Sequence, residues 1–180
     1  KGIRCVGIDI APSLISYAKK KVQQEKVKVK YLVGDIRKID YSKEFDYCIM
    51  IGSILGFFDM KDNIKLLVRI KKALKPGGLL LFDIKNPKKT QKYGKNWMQI
   101  NKGYFLINNK FDSENRKESG EYLFIDASGN VNIMTKDLRR EFNRLYFLSE
   151  IKYFLHKAGF EYLKSYGGFN LPPIKFRESL

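Results

Sequence analysis

Two apolar runs that each close on an aspartate, twenty-six residues apart, constrain this chain more than any other feature. The first is Cys5-Val6-Gly7-Ile8-Asp9-Ile10 and the second is Val29-Lys30-Tyr31-Leu32-Val33-Gly34-Asp35-Ile36. Short apolar runs bounded by turn residues read as buried strands. Between them, Pro12 suits the first turn of a helix. Leu14, Ile15, Tyr17, Ala18 and Val22 then recur at helical spacing. A strand, a helix and a strand in this order predict a parallel pair. Ligands of open parallel sheets bind just outside the carboxyl ends of the strands. Both carboxylates are therefore expected on a binding edge. An acid at a strand end suits a ribose hydroxyl pair. A second acid one strand further on can accept from an amino group such as that of adenine. Together they sketch an adenosine site, of the kind that S-adenosylmethionine or a nicotinamide cofactor needs.

The alternation continues downstream. Residues 45–51 read as a third strand, and a helix over 61–74 carries Ile64, Leu67, Val68 and Ile70 inward. Pro76-Gly77-Gly78 is expected to end that helix and make the turn into a fourth strand over 78–84. This pattern predicts an α/β fold: a doubly wound, mostly parallel sheet. Residues 93–147 change character. The runs at 104–108, 121–126 and 131–135 are β-like, with turn signals at Asp112-Ser113-Glu114-Asn115 and Ser128-Gly129-Asn130 between them. They predict an antiparallel β insert covering the sheet. Ser149 is then expected to cap a helix to Lys157, with Gly159 ending it and a strand over 160–166. Residues 1–180 read as one domain, with no linker, repeat or low-complexity segment.

Several segments resemble the class I S-adenosylmethionine-dependent methyltransferases. They are Val6-Gly7-Ile8-Asp9-Ile10-Ala11-Pro12, Gly34-Asp35-Ile36-Arg37, Glu44-Phe45-Asp46-Tyr47-Cys48-Ile49, and Ala73-Leu74-Lys75-Pro76-Gly77-Gly78-Leu79-Leu80-Leu81. Tyr146-Phe147-Leu148-Ser149-Glu150-Ile151 and Ala158-Gly159-Phe160 fit as well. The resemblance runs over about residues 5 to 168 and is to the small-molecule branch of the family, with a β-rich insert. It implies a Rossmann-like methyltransferase fold, S-adenosylmethionine as cofactor, and methyl transfer to a small-molecule acceptor. One departure stands out: the family's glycine-rich loop, after its first strand, is absent from these residues and is expected upstream of Lys1. Residues 3–10 and 45–51 should then either pair directly or leave a gap where the family's first strand lies. The run at 174–180 resembles the approach to a final strand.

Within this frame Asp9 is the candidate ribose ligand, or an acid placed at a helix N-terminus. Ile10 offers the adenine an apolar face, or is ordinary core. Asp35 is the candidate partner of the adenine amino group, or a turn acid after Gly34, with Ile36 packing beside it. Ile51, Gly52 and Ser53 follow the third strand; the resemblance places them near the sulfonium and the acceptor, and small residues there let a ligand approach the backbone. No His/Asp arrangement is visible in the sequence that would make Ser53 a nucleophile. Asp83, with Asn86, either touches the acceptor or caps a turn. Tyr122 and Arg144 are acceptor candidates on the insert, with Trp97, Tyr104, Phe124 and Tyr146 nearby in sequence; such aromatics also serve to bury one face of a meander. His156, the only histidine, reads as solvated. No catalytic residue is assigned, and no metal-ligand spacing is present.

Composition narrows the alternatives. No apolar run reaches the roughly 20 residues of a membrane span. Cys5 and Cys48, both in apolar runs, point to buried reduced thiols and a cytoplasmic protein. A net charge of +16 keeps an RNA methyltransferase as the alternative. Yet the lysines are dispersed, with no Arg/aromatic interleaving of the kind an RNA-binding face carries. A non-catalytic methyltransferase-like binding protein is the third reading. Self-association is compatible with all three.

Overall fold

The computed structural model describes residues 3–25, 27–90, 94–133 and 143–168. The run at 174–180 and part of the insert, 134–142, lie outside these residues. Contacts divide the chain into two units, Lys1–Ile51 with Asp59–Phe82, and Gly52–Phe58 with Asp83–Leu180.

The first unit is α/β. Its elements are β1 (Cys5–Asp9), α1 (Pro12–Glu25), β2 (Val29–Val33), a 3₁₀ turn (Ile36–Lys38), β3 (Phe45–Met50), α2 (Met60–Ala73) and β4 (Leu74–Phe82). β1 and β2 are parallel, with Cys5 opposite Val29 and Asp9 opposite Val33. Gly7 lies opposite Tyr31, and a Cβ there would come within 2.5 Å of the Tyr31 ring. Glycine thus lets the aromatic ring lie flat on β1. β3 and β4 are also parallel, but Phe45 faces Leu74 while Tyr47 faces Leu79. The extra β4 residues form an excursion that includes Gly77 at φ +77°. Pro76-Gly77-Gly78 therefore interrupts a strand that begins at Leu74, four residues earlier than expected. Proline has no N–H for the ladder, so the backbone must leave it there.

Helix α2 starts with the Asp59 carboxylate accepting the Asp62 N–H at 2.8 Å. Leu66, Leu67, Ile70 and Ala73 fall on one face and are buried. Its C-terminal part is tied to the segment before β3: Arg69 donates to the Ile39 carbonyl at 3.0 Å, and Lys72 pairs with Asp40 at 2.7 Å. The parallel strands pair two by two. Among the described residues no ladder joins β1 to β3. Direct pairing of residues 3–10 with 45–51 is therefore not seen among the described residues.

The second unit holds an antiparallel sheet, as the insert predicted. Its elements are a 3₁₀ turn (Ile54–Phe57), α3 (Pro87–Thr90), β5 (Lys95–Ile100), β6 (Gly103–Asp112), β7 (Lys117–Ile125), β8 (Val131–Ile133), β9 (Asn143–Arg144) and α4 (Leu148–Lys157). The order is β5-β6-β7-β8, and β9 also pairs with β7. The β6–β7 turn is built by Asp112, whose carboxylate accepts the Glu114 and Asn115 N–H groups, each at 3.0 Å. The β7–β8 turn is built by Asp126, which accepts from Ser128 at 2.9 Å and Asn130 at 3.0 Å. Both are the Asx turns that the sequence signals call for.

Leu145, Tyr146, Ile151, Phe154, Leu155 and Ala158 form the buried cluster around α4. Here the structure corrects three expectations. The helix begins at Leu148, one residue before Ser149; the Glu150 carboxylate reaches back to the Phe147 N–H at 2.8 Å and fills the capping role. Residues 160–166 form no strand, only an isolated bridge at Tyr166. An extended run becomes a strand only beside a partner that completes its ladder. Cys5 is exposed and Cys48 is half-buried, so the thiols are free but not both interior. Burial pushes the Cys48 thiol up from its ordinary value. No helix among the described residues is long and apolar enough to cross a membrane.

Candidate cofactor site

Asp9 and Asp35 come to the same end of the β1–β2 pair. Asp9 closes β1 opposite Val33, and Asp35 follows two residues after β2 ends. The Gly34 N–H donates to the Asp9 carbonyl at 2.9 Å, which joins the two strand ends. The Asp9 side chain uses Oδ1 to accept the Ala11 N–H at 2.8 Å, just before α1 begins. Its Oδ2 receives no hydrogen bond from the described residues. Ile10, beside it, is 70% exposed. A carboxylate oxygen next to an open aliphatic face can hold a diol and a flat apolar ring together.

Asp35 has a partner that the sequence reading overlooked. Its Oδ1 accepts the Arg37 backbone N–H at 2.8 Å, and its Oδ2 accepts Arg37 Nη2 at 2.7 Å. Arg37 Nε lies 3.1 Å from both carboxylate oxygens. Hydrogen bonding from the Arg37 side chain, then from its backbone N–H, holds the Asp35 carboxyl below the usual carboxylate range. Arg37 also reaches Asp62 at 3.6 Å. The only signal was the Asp-x-Arg spacing over a tight turn, which has no helical or strand period. Ile36 is half-buried between the two.

Ile51 is exposed at the end of β3. Gly52 and Ser53, in the second unit, have φ of +102° and +55°. Their N–H groups both donate to Asp83 Oδ1, at 2.7 and 3.3 Å, and Ser53 Oγ donates to Oδ2 at 3.2 Å. Asp83 is thus brought together with Gly52 and Ser53. Asn86 accepts the Lys88 N–H at 2.9 Å.

The insert candidates are dispersed over its sheet. Tyr122 stacks on Phe105 with centroids 5.8 Å apart at 15°. Arg144 lies on β9 opposite Lys117, about 16 Å along β7 from Tyr122 at the strand's usual rise. Its guanidinium sits 5.4 Å from the centre of the Tyr146 ring. Tyr146 in turn donates its hydroxyl to the Phe58 carbonyl at 3.0 Å and packs edge-on against Phe154. Two ion pairs not foreseen from the sequence fasten the sheet: Lys85 with the buried Glu118, and Arg116 with Glu150. His156 is exposed on α4.

Comparison with known proteins gives this geometry a context. Residues 1–78 match the methyltransferase-domain family. That segment holds Asp9, Ile10, Asp35, Ile36 and Ile51 to Ser53, while Asp83, Tyr122 and Arg144 lie beyond it. A putative methyltransferase of Bacillus subtilis (strain 168) is 31% identical over 86 residues, 47% of this chain and 34% of that protein. An S-adenosylmethionine-dependent methyltransferase from Clostridium acetobutylicum ATCC 824 superposes with a TM-score of 0.70 at 20% identity, over 85% of this chain and 62% of that one. An amino pentose methyltransferase from Micromonospora echinaspora, solved with S-adenosylmethionine bound, superposes with a TM-score of 0.65 at 16% identity, over 93% and 70%. The chain spans about a third of the length of the curated relatives it matches.

Proposed function

We propose that this chain, whose residues 1–78 match the methyltransferase-domain family and whose fold is that of the class I methyltransferases, is part of an enzyme that transfers a methyl group from S-adenosylmethionine to a small-molecule acceptor. The observation that carries this reading is the pair of carboxylates, Asp9 and Asp35, at one end of two adjacent parallel strands. Asp9 has an oxygen available for a ribose hydroxyl pair, and Ile10 an exposed face for the adenine ring. Asp35, kept ionised by Arg37, is assigned to the adenine amino group, with Ile36 beside it. The loop of Ile51, Gly52 and Ser53 is assigned to the methyl-bearing end of the cofactor on sequence grounds.

S-adenosylmethionine, when bound, supplies a methyl group already activated by its positively charged sulfur. The protein's own contribution is then to hold and orient the reactants, which alone provides a large part of a barrier reduction. No strong acid or base is required for that, in keeping with the absence of an assigned catalytic residue. A small-molecule acceptor is supported by the dispersed lysines and by the amino pentose named for one structural relative. Tyr122 and Arg144 are the sequence-based candidates kept on the acceptor side; the third, Asp83, has both carboxylate oxygens on Gly52 and Ser53. The charge of +16 keeps RNA as the second reading. We place the protein in the cytoplasm and leave room for self-association.

The test uses the protein expressed from its whole reading frame, methyl-labelled S-adenosylmethionine, and a cell extract split into metabolites and RNA. Label should pass into the metabolite fraction. Label in RNA would replace the acceptor class. Absence of both transfer and cofactor binding would leave only a non-catalytic binding role.

A further inference from the structure

The loop after β3 has a backbone that needs an explanation. Gly52 and Ser53 are consecutive residues at positive φ, +102° and +55°. Ser53 is only 7% exposed, so a residue with a Cβ is held in the left-handed region inside the protein. Successive N–H groups turned to one side in this way form a concave nest that takes an anion. Here the chain supplies the anion itself. Asp83, the first residue after β4, accepts both N–H groups on Oδ1 and the Ser53 hydroxyl on Oδ2.

The rest of the loop is held as well. The Ser53 carbonyl accepts the Gly56 N–H at 2.8 Å and starts the 3₁₀ turn. Gly56 is closed in: a Cβ there would stand 3.0 Å from the Arg144 carbonyl oxygen. Beyond the turn, Tyr146 holds the Phe58 carbonyl. The side chain that fixes the left-handed pair at the front of the loop is Asp83.

We propose that Asp83 is a positioning residue: it sets Gly52 and Ser53 in the shape that receives the cofactor and acts through them rather than on substrate. This rests on the assignment of the Ile51 to Ser53 loop to S-adenosylmethionine. Shape and charge are separable here. An asparagine at 83 can place Oδ1 on the same two N–H groups and donate from Nδ2 to Ser53 Oγ. A carboxylate that met the sulfonium cation directly would lose its role in the same substitution.

The experiment titrates S-adenosylmethionine into the whole protein and into Asp83→Ala, Asp83→Asn and Ser53→Gly/Asp83→Ala by calorimetry. Amide hydrogen exchange at residues 52 and 53 is followed without cofactor. Asp83→Ala should weaken binding about tenfold or more and speed exchange at both amides. Asp83→Asn should stay within about threefold of wild type, and keep slow exchange, because the hydrogen bonds survive. Ser53→Gly should recover part of the loss, since glycine adopts positive φ unaided. Equal losses in Asp83→Asn and Asp83→Ala would overturn the proposal in favour of a charge role. Unchanged binding in Asp83→Ala would overturn it outright. A wild-type protein that binds no S-adenosylmethionine would instead remove the assignment beneath it, with the exchange data still reporting on the clamp.

Discussion

Asp9 and Asp35 differ in how much of each carboxylate is committed within the fold. Asp9 has given one oxygen to the Ala11 N–H, and its other oxygen is open to a ligand. Asp9→Ala should therefore weaken S-adenosylmethionine binding by about 1.5–3 kcal/mol, the usual loss for hydrogen bonds to a charged group. Equilibrium dialysis or calorimetry reads it, and unchanged affinity would remove Asp9 from the site. Asp35 has both oxygens on Arg37. Its carboxyl is held below the ordinary aspartate range, so its stabilising contribution is complete above the unfolded value and is lost as pH falls through the lower, folded one. In Arg37→Ala the titration of Asp35, followed by carbon NMR of the carboxyl, should move up toward the ordinary range. An unmoved titration would show that Arg37 is not what holds Asp35. The strand-end positions of both acids were legible in the sequence because each acid closes an apolar run. Arg37 and the Asp83 clamp were not: one is a contact across two residues of a tight turn, the other depends on backbone φ at Ser53.

At the scale of elements, α4 is held at its start by charge. Arg116 pairs with Glu150, and its guanidinium lies 4.9 Å from the centre of the Phe147 ring. Burial raises the Glu150 carboxyl, but hydrogen bonds from Arg116 and from the Phe147 N–H outweigh it, and the group ends below the ordinary glutamate range. Its contribution to stability is thus present above the unfolded value and lost as pH falls through the folded one. Glu150→Gln should cost about 1–2 kcal/mol in urea unfolding at neutral pH. It should also remove part of the loss of stability in acid. A variant as stable as wild type at pH 7 would show the pair to be a surface contact of little worth. Element type was well signalled by periodicity and turn chemistry: α1, α2 and the turns after β6 and β7 fall where expected, although Asp126, read as a strand residue, builds the second turn and Val68, read as inward on α2, is exposed. Boundaries that depend on tertiary partners were not. Ser149 lost the cap to Glu150, residues 160–166 found no ladder, and Pro76-Gly77-Gly78 became an excursion within β4.

Over the whole molecule, the parallel strands stand as two separate pairs, and β1 and β3 each pair on one side only among the described residues. Ile3, Tyr47, Ile49, Leu79 and Leu81 are exposed around them. Open strand edges beside apolar side chains recruit other segments or associate. Residues 1–180 expressed alone should accordingly bind a hydrophobic dye and self-associate, read by dye fluorescence and sedimentation. A dye-free monomer would contradict that. Asp9 and Asp35, the carboxylates proposed for the adenosine end of a cofactor, lie together at one end of the β1–β2 pair. The α/β alternation and the shared strand end of Asp9 and Asp35 were thus readable from local pattern, whereas Tyr122 and Arg144, the residues proposed for the acceptor, lie far apart on the sheet of the insert. The most direct measurement is calorimetric titration of S-adenosylmethionine into the protein expressed from its whole reading frame, repeated with S-adenosylhomocysteine as competitor. One cofactor bound per chain and displaced by the demethylated product is the predicted result; no binding of either compound would contradict the methyltransferase assignment.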